Sequence, residues 1–257
     1  MHKVAFASFG DNVASSRLRA IIPRNELAKL GVKYGKDVIV YGKSFIKMDE
    51  LKPYGKRVFD VCDDHFGKSH DAYYREHIAK ADLVTCNSNT MAEIIRQETG
   101  RIATVIPDPY ESEEQPADAG EGVLWFGHET NLVDLDPSLD LKPEILTGSN
   151  WSREKQLAAL KACGCVIIPT GKSMAKSANR MIESVRNGRF VVAGELPAHD
   201  EFAGWMWVGK DLHEGVEWFN RYRTEAIEEV KSCQNYIREH YSPERIGRLW
   251  FNALGQL

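Results

Sequence analysis

Lys176-Ser-Ala-Asn-Arg-Met-Ile-Glu-Ser-Val-Arg-Asn-Gly188, followed at once by Arg189-Phe-Val-Val-Ala193, is the stretch from which the fold is read. At about 100° per residue, Ala178, Met181, Ile182 and Val185 fall on one side of a helix. Lys176, Asn179, Arg180 and Glu183 fall on the opposite side. Gly188 stands where a left-handed cap ends a helix, and Phe190-Val-Val-Ala193 reads as a buried strand. The polar side gathers two cations, an amide and a carboxylate near a helix start. Such a set can hold a diphosphate through its cations and a ribose through its glutamate. Taken alone, a stripe of this kind is more often a solvated face, so its neighbours have to decide.

Outward from that stretch, strand and helix patterns alternate. Lys3–Ala7 reads as a strand, 8–16 as a polar loop, and 17–30 as a helix in which Pro23 implies a break or a first-turn position. Strands follow at 37–41 and 57–61. A helix over 72–81 leads into strand 82–86, and a helix over 89–98, closed by Gly100, leads into strand 102–106. The segment 108–122 is acidic, holds two prolines and two glycines, lacks periodicity and reads as a linker. The rhythm then restarts with strands at 123–126 and 143–146, a helix over 152–162 capped by Ser152, and strand 165–168. After the opening helix and strand, two long helices span 214–241 and 243–254, the second with Pro243 at its first position. Repeated βα units of this kind predict parallel sheets with helices on their faces.

A chain of 257 residues with 43% hydrophobic and 27% charged residues is ordinary for a soluble protein of one or two domains. No apolar run approaches the roughly 20 residues of a membrane helix. The first residues enter a strand pattern without a signal peptide, and a cytoplasmic protein is expected. Cys62, Cys86, Cys163, Cys165 and Cys233 are scattered without zinc-type spacing and read as small packing residues. Charge is uneven. Residues 1–57 hold twelve Lys/Arg against five Asp/Glu, although the whole chain carries −4. Chance scatter competes with the reading that this part meets an anionic partner.

Several motifs fail on spacing. Gly171-Lys172-Ser173 lacks the leading glycine of a P-loop, because position 166 is valine. Neither G-x-G-x-x-G after the first strand nor G-x-S-x-G is present. Asp134-Leu-Asp136 has no neighbouring ligands and is expected to be solvent exposed, so no metal site is expected. Asp60-Val-Cys-Asp-Asp-His65, at the end of a strand, groups three carboxylates and an imidazole that could serve acid–base chemistry or bind sugar hydroxyls. The alternative is a turn whose aspartates satisfy backbone amides. His65 and Asp63 are the stronger candidates.

These segments together resemble compact glycosyltransferases of the GT-B type, and are similar to the retaining "group one" enzymes of family four. Ala81-Asp-Leu-Val-Thr-Cys-Asn-Ser88, with Val105-Ile-Pro-Asp108 beyond the next helix, resembles the close of that family's first domain. Val123-Leu-Trp-Phe-Gly-His128 resembles the first strand and glycine of the donor-binding domain. Lys176 to Glu183, with Gly188 and Val191-Val-Ala193, resembles the donor-site helix and strand. The likeness runs from residue 4 to about 220. It implies two Rossmann-like domains facing each other across a cleft, with C-terminal helices: an acceptor domain over 1–110, a linker over 111–122, a nucleotide-sugar domain over 123–235, and a final helix over 236–257 packing back on the first domain.

The resemblance assigns roles. Lys176 and Arg180 would neutralise the donor diphosphate, Asn179 would stand beside them, and Glu183 would bind the ribose hydroxyls. Gly127, with His128, would let backbone amides approach the phosphates. Gly10, Arg17 and Arg19 would lie on the acceptor side, and His65 with Asp63 would face the sugar and acceptor. No metal cofactor is implied, since cationic side chains and a helix N-terminus do its work, and domain closure would exclude water. The family also pairs Glu183's equivalent with a glutamate eight positions earlier, where this chain has Ala175. Glu195 or Asp200 could substitute. The function expected is sugar transfer from a nucleotide sugar to an acceptor hydroxyl. An anionic acceptor, such as DNA carrying a hydroxymethylated base, would suit the basic first segment. The rival is a GT-B scaffold that binds a nucleotide without turning over.

Overall fold

The computed structural model describes residues 2–7, 10, 13–135, 141–171 and 173–257. The chain divides into two α/β units, one of residues 1–109, 175–177 and 241–257, the other of residues 110–174 and 178–240. Each has a five-stranded, all-parallel sheet, the Rossmann-like architecture expected. Among the described residues no helix is long and apolar enough to cross a membrane.

In the first unit the sheet runs β1 (Val4–Phe6), β2 (Val38–Tyr41), β3 (Lys56–Val61), β4 (Leu83–Cys86), β5 (Thr104–Val105), in that spatial order. Period-two alternation sorts its side chains. Val38, Val40 and Val58 face a core with Leu27, Ile246 and Trp250, whereas Ile39, Tyr41, Phe59 and Val61 face one with Tyr74, Ile78, Met91 and Ile95. Both faces are covered, which is why β2 reads as an unbroken apolar run. The C-terminal helix (Pro243–Leu254), capped by Ser242, contributes Ile246 and Trp250 to the first of these cores. Gly247 brings it against the preceding helical layer so closely that a Cβ there would meet Glu26 Cβ at 2.4 Å.

Pro23 does not end its helix. α1 (Ala14–Ser16) passes through a π-helical turn, Arg17–Ile21, into α2 (Ile22–Lys29), with the proline in the first turn of α2. The wider turn relieves the clash of the proline ring with the carbonyl four residues back. α3 (Asp71–Lys80) and α4 (Asn89–Thr99) cover the opposite face of the sheet, α4 being capped by Ser88 and closed by left-handed Gly100.

The second unit has spatial order β10 (Trp207–Val208), β9 (Phe190–Ala193), β8 (Cys165–Ile168), β6 (Val123–Phe126), β7 (Glu144–Leu146). The chain thus runs outward from β6 to β7, then returns to build β8, β9 and β10 on the other side of β6. That is the doubly wound order whose reversal leaves a crevice at the carboxyl ends of the two central strands. The first unit, in sequential order, has no such reversal. α5 (Arg153–Ala162), α6 (Asn179–Arg186), α7 (Leu212–Arg221) and α8 (Arg223–His240) accompany the sheet.

The structure redraws three expected elements. The opening helix begins at Asn179 rather than Lys176, because Ala175–Ser177 belong to the first unit, where Ala175 joins the apolar core and Ser177 bonds the Asp108 carboxylate. Its far end is as expected: Gly188 is left-handed at φ +75°, its N–H bonds Val185 O at 2.9 Å, and Arg189 N–H bonds Ser184 O at 3.0 Å, a Schellman closure. The helix expected over 214–241 is two, because Tyr222 leaves helical geometry at φ −123° and ψ 46° with no proline or glycine to announce it. Strand β10 was not foreseen, being two residues long. The acidic segment expected as a linker is held against the second unit, with Gln115 N–H on Arg186 O and Asp118 N–H on Gly188 O.

Candidate functional site

Strand β6 ends at Phe126, and Gly127 follows at the reversal of the second sheet. Arg180, in the first turn of α6, reaches that strand end: its Nη1 lies 3.4 Å from Phe126 O, and a Cβ on Gly127 would meet the same nitrogen at 3.4 Å. Glycine therefore leaves the strand end open to close approach. Burial lowers the Arg180 pKa to about 10, and the field of Asp134 only partly opposes this. Among the described residues Arg180 forms no ion pair, and α6 has no acidic residue in its first turn. A cation therefore sits at the positive end of its helix, partly desolvated and without an anion, an arrangement that favours binding one.

Glu183, one turn further on, is buried, with only 7% of its surface exposed. The face read as polar is therefore partly inside the protein: Asn179 and Arg180 are half-buried, and Glu183 is buried. Its Oε1 accepts from Ser112 Oγ and from Arg153 Nη2, and Arg153 also donates to Ser112 Oγ at 2.7 Å. Neither Arg153 nor Ser112 was found by sequence reasoning, and no spacing rule links positions 30 and 71 residues from Glu183. His199 was also missed. It is 2% exposed, and its Nδ1–H donates to Gly194 O at 2.8 Å, which leaves Nε2 as an acceptor. Burial lowers its pKa, the bond to Gly194 opposes that, and the charge of Arg180 adds to it.

Asn179 opens α6, half-buried. His128 is exposed and spends Nδ1 on capping the 3₁₀ turn Glu129–Asp134 through Thr130 N–H at 3.3 Å. Asp134, expected to be exposed, is half-buried within that turn, while Asp136 and Lys172 lie outside the described residues. Among the described residues no three His, Cys, Asp or Glu side chains are grouped as metal ligands. Lys176 is half-buried and counts with the first unit. Ala175 is 1% exposed in that unit's core, and the suggested substitutes Glu195 and Asp200 are both exposed.

In the first unit the Asp60–His65 group separates into different roles. Asp60 accepts from Arg19 Nε at 2.9 Å, Arg19 Nη2 at 2.7 Å and Thr85 Oγ1 at 2.7 Å. Arg19 Nη1 bonds Ile106 O and Asp108 Oδ1, the latter at 3.2 Å, and its guanidinium lies 5.4 Å from the Trp250 ring. Burial works against this cation, yet Asp60 and Asp108 together hold its pKa above the ordinary value. Arg19 is thus an interior tie. Arg17 lies half-buried in the π-helical turn, and Gly10 is exposed at φ +121°. Asp64 satisfies a turn, accepting from Phe66 N–H at 3.1 Å. Asp63 pairs with Lys43 at 2.6 Å. The His65 ring packs tilted at 45° against Tyr74, centroids 4.6 Å apart, and its buried Nε2 has no partner among the described residues. Burial lowers its pKa, Asp63 opposing.

Burial raises the Asp108 pKa, with Arg19 opposing. Its folded pKa then exceeds its unfolded one, so the native state binds more protons between the two. The resulting penalty is absent below the unfolded pKa and complete above the folded one. Asp108→Asn, which keeps the oxygen facing Arg19, is therefore expected to match or exceed wild-type stability at pH 7. The advantage should vanish as pH falls toward 4. Urea unfolding at both pH values measures this, and an asparagine variant less stable at pH 7 would show that Arg19 needs the charge.

No protein-family model matches the chain, and no curated protein matches it. Solved structures do. HepE of Anabaena, crystallised with UDP-glucose, superposes with a TM-score of 0.68 at 13% identity, over 94% of this chain and 84% of that one. Sucrose-phosphate synthase of Thermosynechococcus elongatus gives 0.61 at 10% identity, over 97% and 80%. WaaG, a glycosyltransferase of lipopolysaccharide biosynthesis, gives 0.58 at 11% identity, over 95% and 98%. The fold of this chain is the GT-B fold of such proteins.

Proposed function

We propose that the second unit binds the nucleoside diphosphate of a nucleotide-sugar donor, and that the chain transfers the sugar to an acceptor hydroxyl. The observation that carries this reading is Arg180, a desolvated cation without an ion-pair partner among the described residues, placed where the second sheet reverses. A diphosphate there supplies the missing negative charge, which grows on the leaving group as the bond to the sugar breaks. Glu183, three residues along the same helix, takes the ribose hydroxyls, and Gly127 leaves room for the phosphates. Arg180 and the first turn of α6 stand in for a metal ion. The fold shared with a protein crystallised with UDP-glucose supports the class of donor.

The resemblance adds Lys176, Asn179 and His128 on the donor side, and Gly10 and Arg17 on the acceptor side. His65 and Asp63 are the proposed acid–base groups, supported by the unpartnered Nε2 of His65. A retaining outcome is proposed from the same resemblance. An anionic acceptor, hydroxymethylated DNA included, has narrower support than residues 1–57 imply, because over 1–109 seventeen Lys/Arg face fourteen Asp/Glu. Lys43 and Lys56 are paired to Asp63 and Asp82. A second reading, a nucleotide-binding scaffold without turnover, is favoured by the burial of Ala175 where the family places a carboxylate.

The test is thermal shift with UDP-, GDP- and ADP-sugars, followed by assays of sugar release and transfer. Stabilisation with turnover supports the enzyme, and stabilisation without hydrolysis or transfer to any acceptor supports the scaffold. If no nucleotide or nucleotide sugar shifts the melting temperature, the donor site itself is refuted. Turnover that does not depend on hydroxymethylated DNA and is insensitive to salt would speak against an anionic acceptor.

A further inference from the structure

Glu183 is gripped in a way that a simple structural bridge does not require. Arg153 could have met its carboxylate fork to fork, using both oxygens. Instead Arg153 Nη2 and the Ser112 hydroxyl both donate to Oε1, and Arg153 Nη1 turns to Glu111 at 3.5 Å. Ser112 and Arg153 are also bonded to each other, closing a triangle around that one oxygen. The other oxygen, Oε2, has no hydrogen-bond partner among the described residues, although the Glu183 side chain is only 9% exposed. It still touches solvent, so a ligand hydroxyl can reach it without displacing a protein partner.

We propose that Arg153 and Ser112 are positioning residues that clamp Glu183 through Oε1 and present Oε2 to the ribose hydroxyls, making the site select ribonucleotides over 2′-deoxyribonucleotides. This rests on the donor reading above. The clamp fixes the glutamate's rotamer before the ligand arrives, so the entropy of ordering it is not lost on binding. A site built to accept from a ligand hydroxyl rejects the analogue that lacks it, because the bound analogue covers the acceptor and leaves it unpaired.

The donor base being unassigned, the probes are UDP, GDP, ADP and CDP, each compared with its 2′-deoxy counterpart by isothermal titration. The wild type is expected to prefer the ribose form of whichever pair binds by about tenfold or more, as a charge-assisted hydrogen bond implies. Arg153→Met should reduce that preference to about threefold or less while leaving the deoxy affinity within about twofold. Arg153→Lys should restore part of it. Ser112→Ala, which keeps the ion pair and the fold, should also reduce it, and it serves if Arg153→Met does not fold. Equal losses of ribose and deoxyribose affinity would mark the triangle as merely structural and overturn the proposal, as would a preference that both variants leave intact or that the wild type lacks. If no nucleoside diphosphate binds the wild type, the donor reading falls and this inference falls with it. Binding without the preference removes this inference alone.

Discussion

Arg180→Met is expected to lower kcat/KM for the nucleotide-sugar donor by about 10²–10³-fold, the loss typical of removing one preorganised electrostatic contact to a transition state. The same variant should leave the unliganded protein as stable as before, or raise its melting temperature by about 2–4 °C. The two effects have opposite signs for one reason. Without ligand, the guanidinium is a cation at the positive end of α6, with only a 3.4 Å contact to Phe126 O and the more distant field of Asp134 in its favour. Its lowered pKa expresses that cost: the charged form is worse off in the folded chain than in water. Methionine fills similar volume, carries no charge and forgoes one long hydrogen bond. With ligand, the same charge faces phosphate oxygens whose negative charge increases as the sugar leaves, and nothing replaces it. Steady-state kinetics and melting curves with and without UDP check both halves. A variant that melts well below wild type without ligand would make Arg180 a structural residue and remove the main support for the donor site. Arg180→Lys keeps the charge but not the planar fork, and should fall between the two.

The fold was legible because both sheets are parallel and covered on each side. Val38-Ile-Val-Tyr41, Cys165-Val-Ile-Ile168 and Phe190-Val-Val-Ala193 are therefore apolar throughout, and glycines or cap residues mark the neighbouring helix ends, as at Ser88, Gly100, Ser152 and Gly188. What escaped was set by tertiary contact rather than local preference. Trp207–Val208 becomes a strand only because β9 offers an edge to pair with, and Tyr222 bends a helix that its own residues would continue. The candidate site was half legible. Arg180 and Glu183 share a helix face, and that spacing is written in the sequence. It does not reveal that Glu183 is buried, because its partners Ser112 and Arg153 are brought in from another segment and another helix. Arg19 shows the opposite difficulty. One arginine among twelve basic residues in the first 57 looks like part of a charged surface, and only the convergence of Asp60, Ile106 and Asp108 sets it apart.

Arg19→Met is expected to destabilise the first unit by about 3–5 kcal/mol, as breaking a buried ion pair from one side does. The cost is not chiefly the lost attraction. Asp60 and Asp108 are 5% and 6% exposed, and without the guanidinium two carboxylates stay in the interior with only hydroxyl partners among the described residues, Thr85 Oγ1 for Asp60 and Ser177 for Asp108. Ile106 O loses its side-chain partner, and the Trp250 ring loses a cation 5.4 Å away. Removing the opposing charge as well should recover much of the loss, because an apolar pair needs no compensation. Arg19→Met with Asp60→Leu is thus expected to be more stable than Arg19→Met alone, by at least about 1 kcal/mol. Hydrogen exchange read strand by strand is the suitable measurement, since it reports the units separately. Protection should fall in β2, β3 and β4 and persist in β8 and β9. Uniform loss across both sheets would mean that the units unfold as one. A single variant costing under about 1 kcal/mol would show that the carboxylates find water or other partners when Arg19 is removed, and that the tie is not what holds the strand ends together.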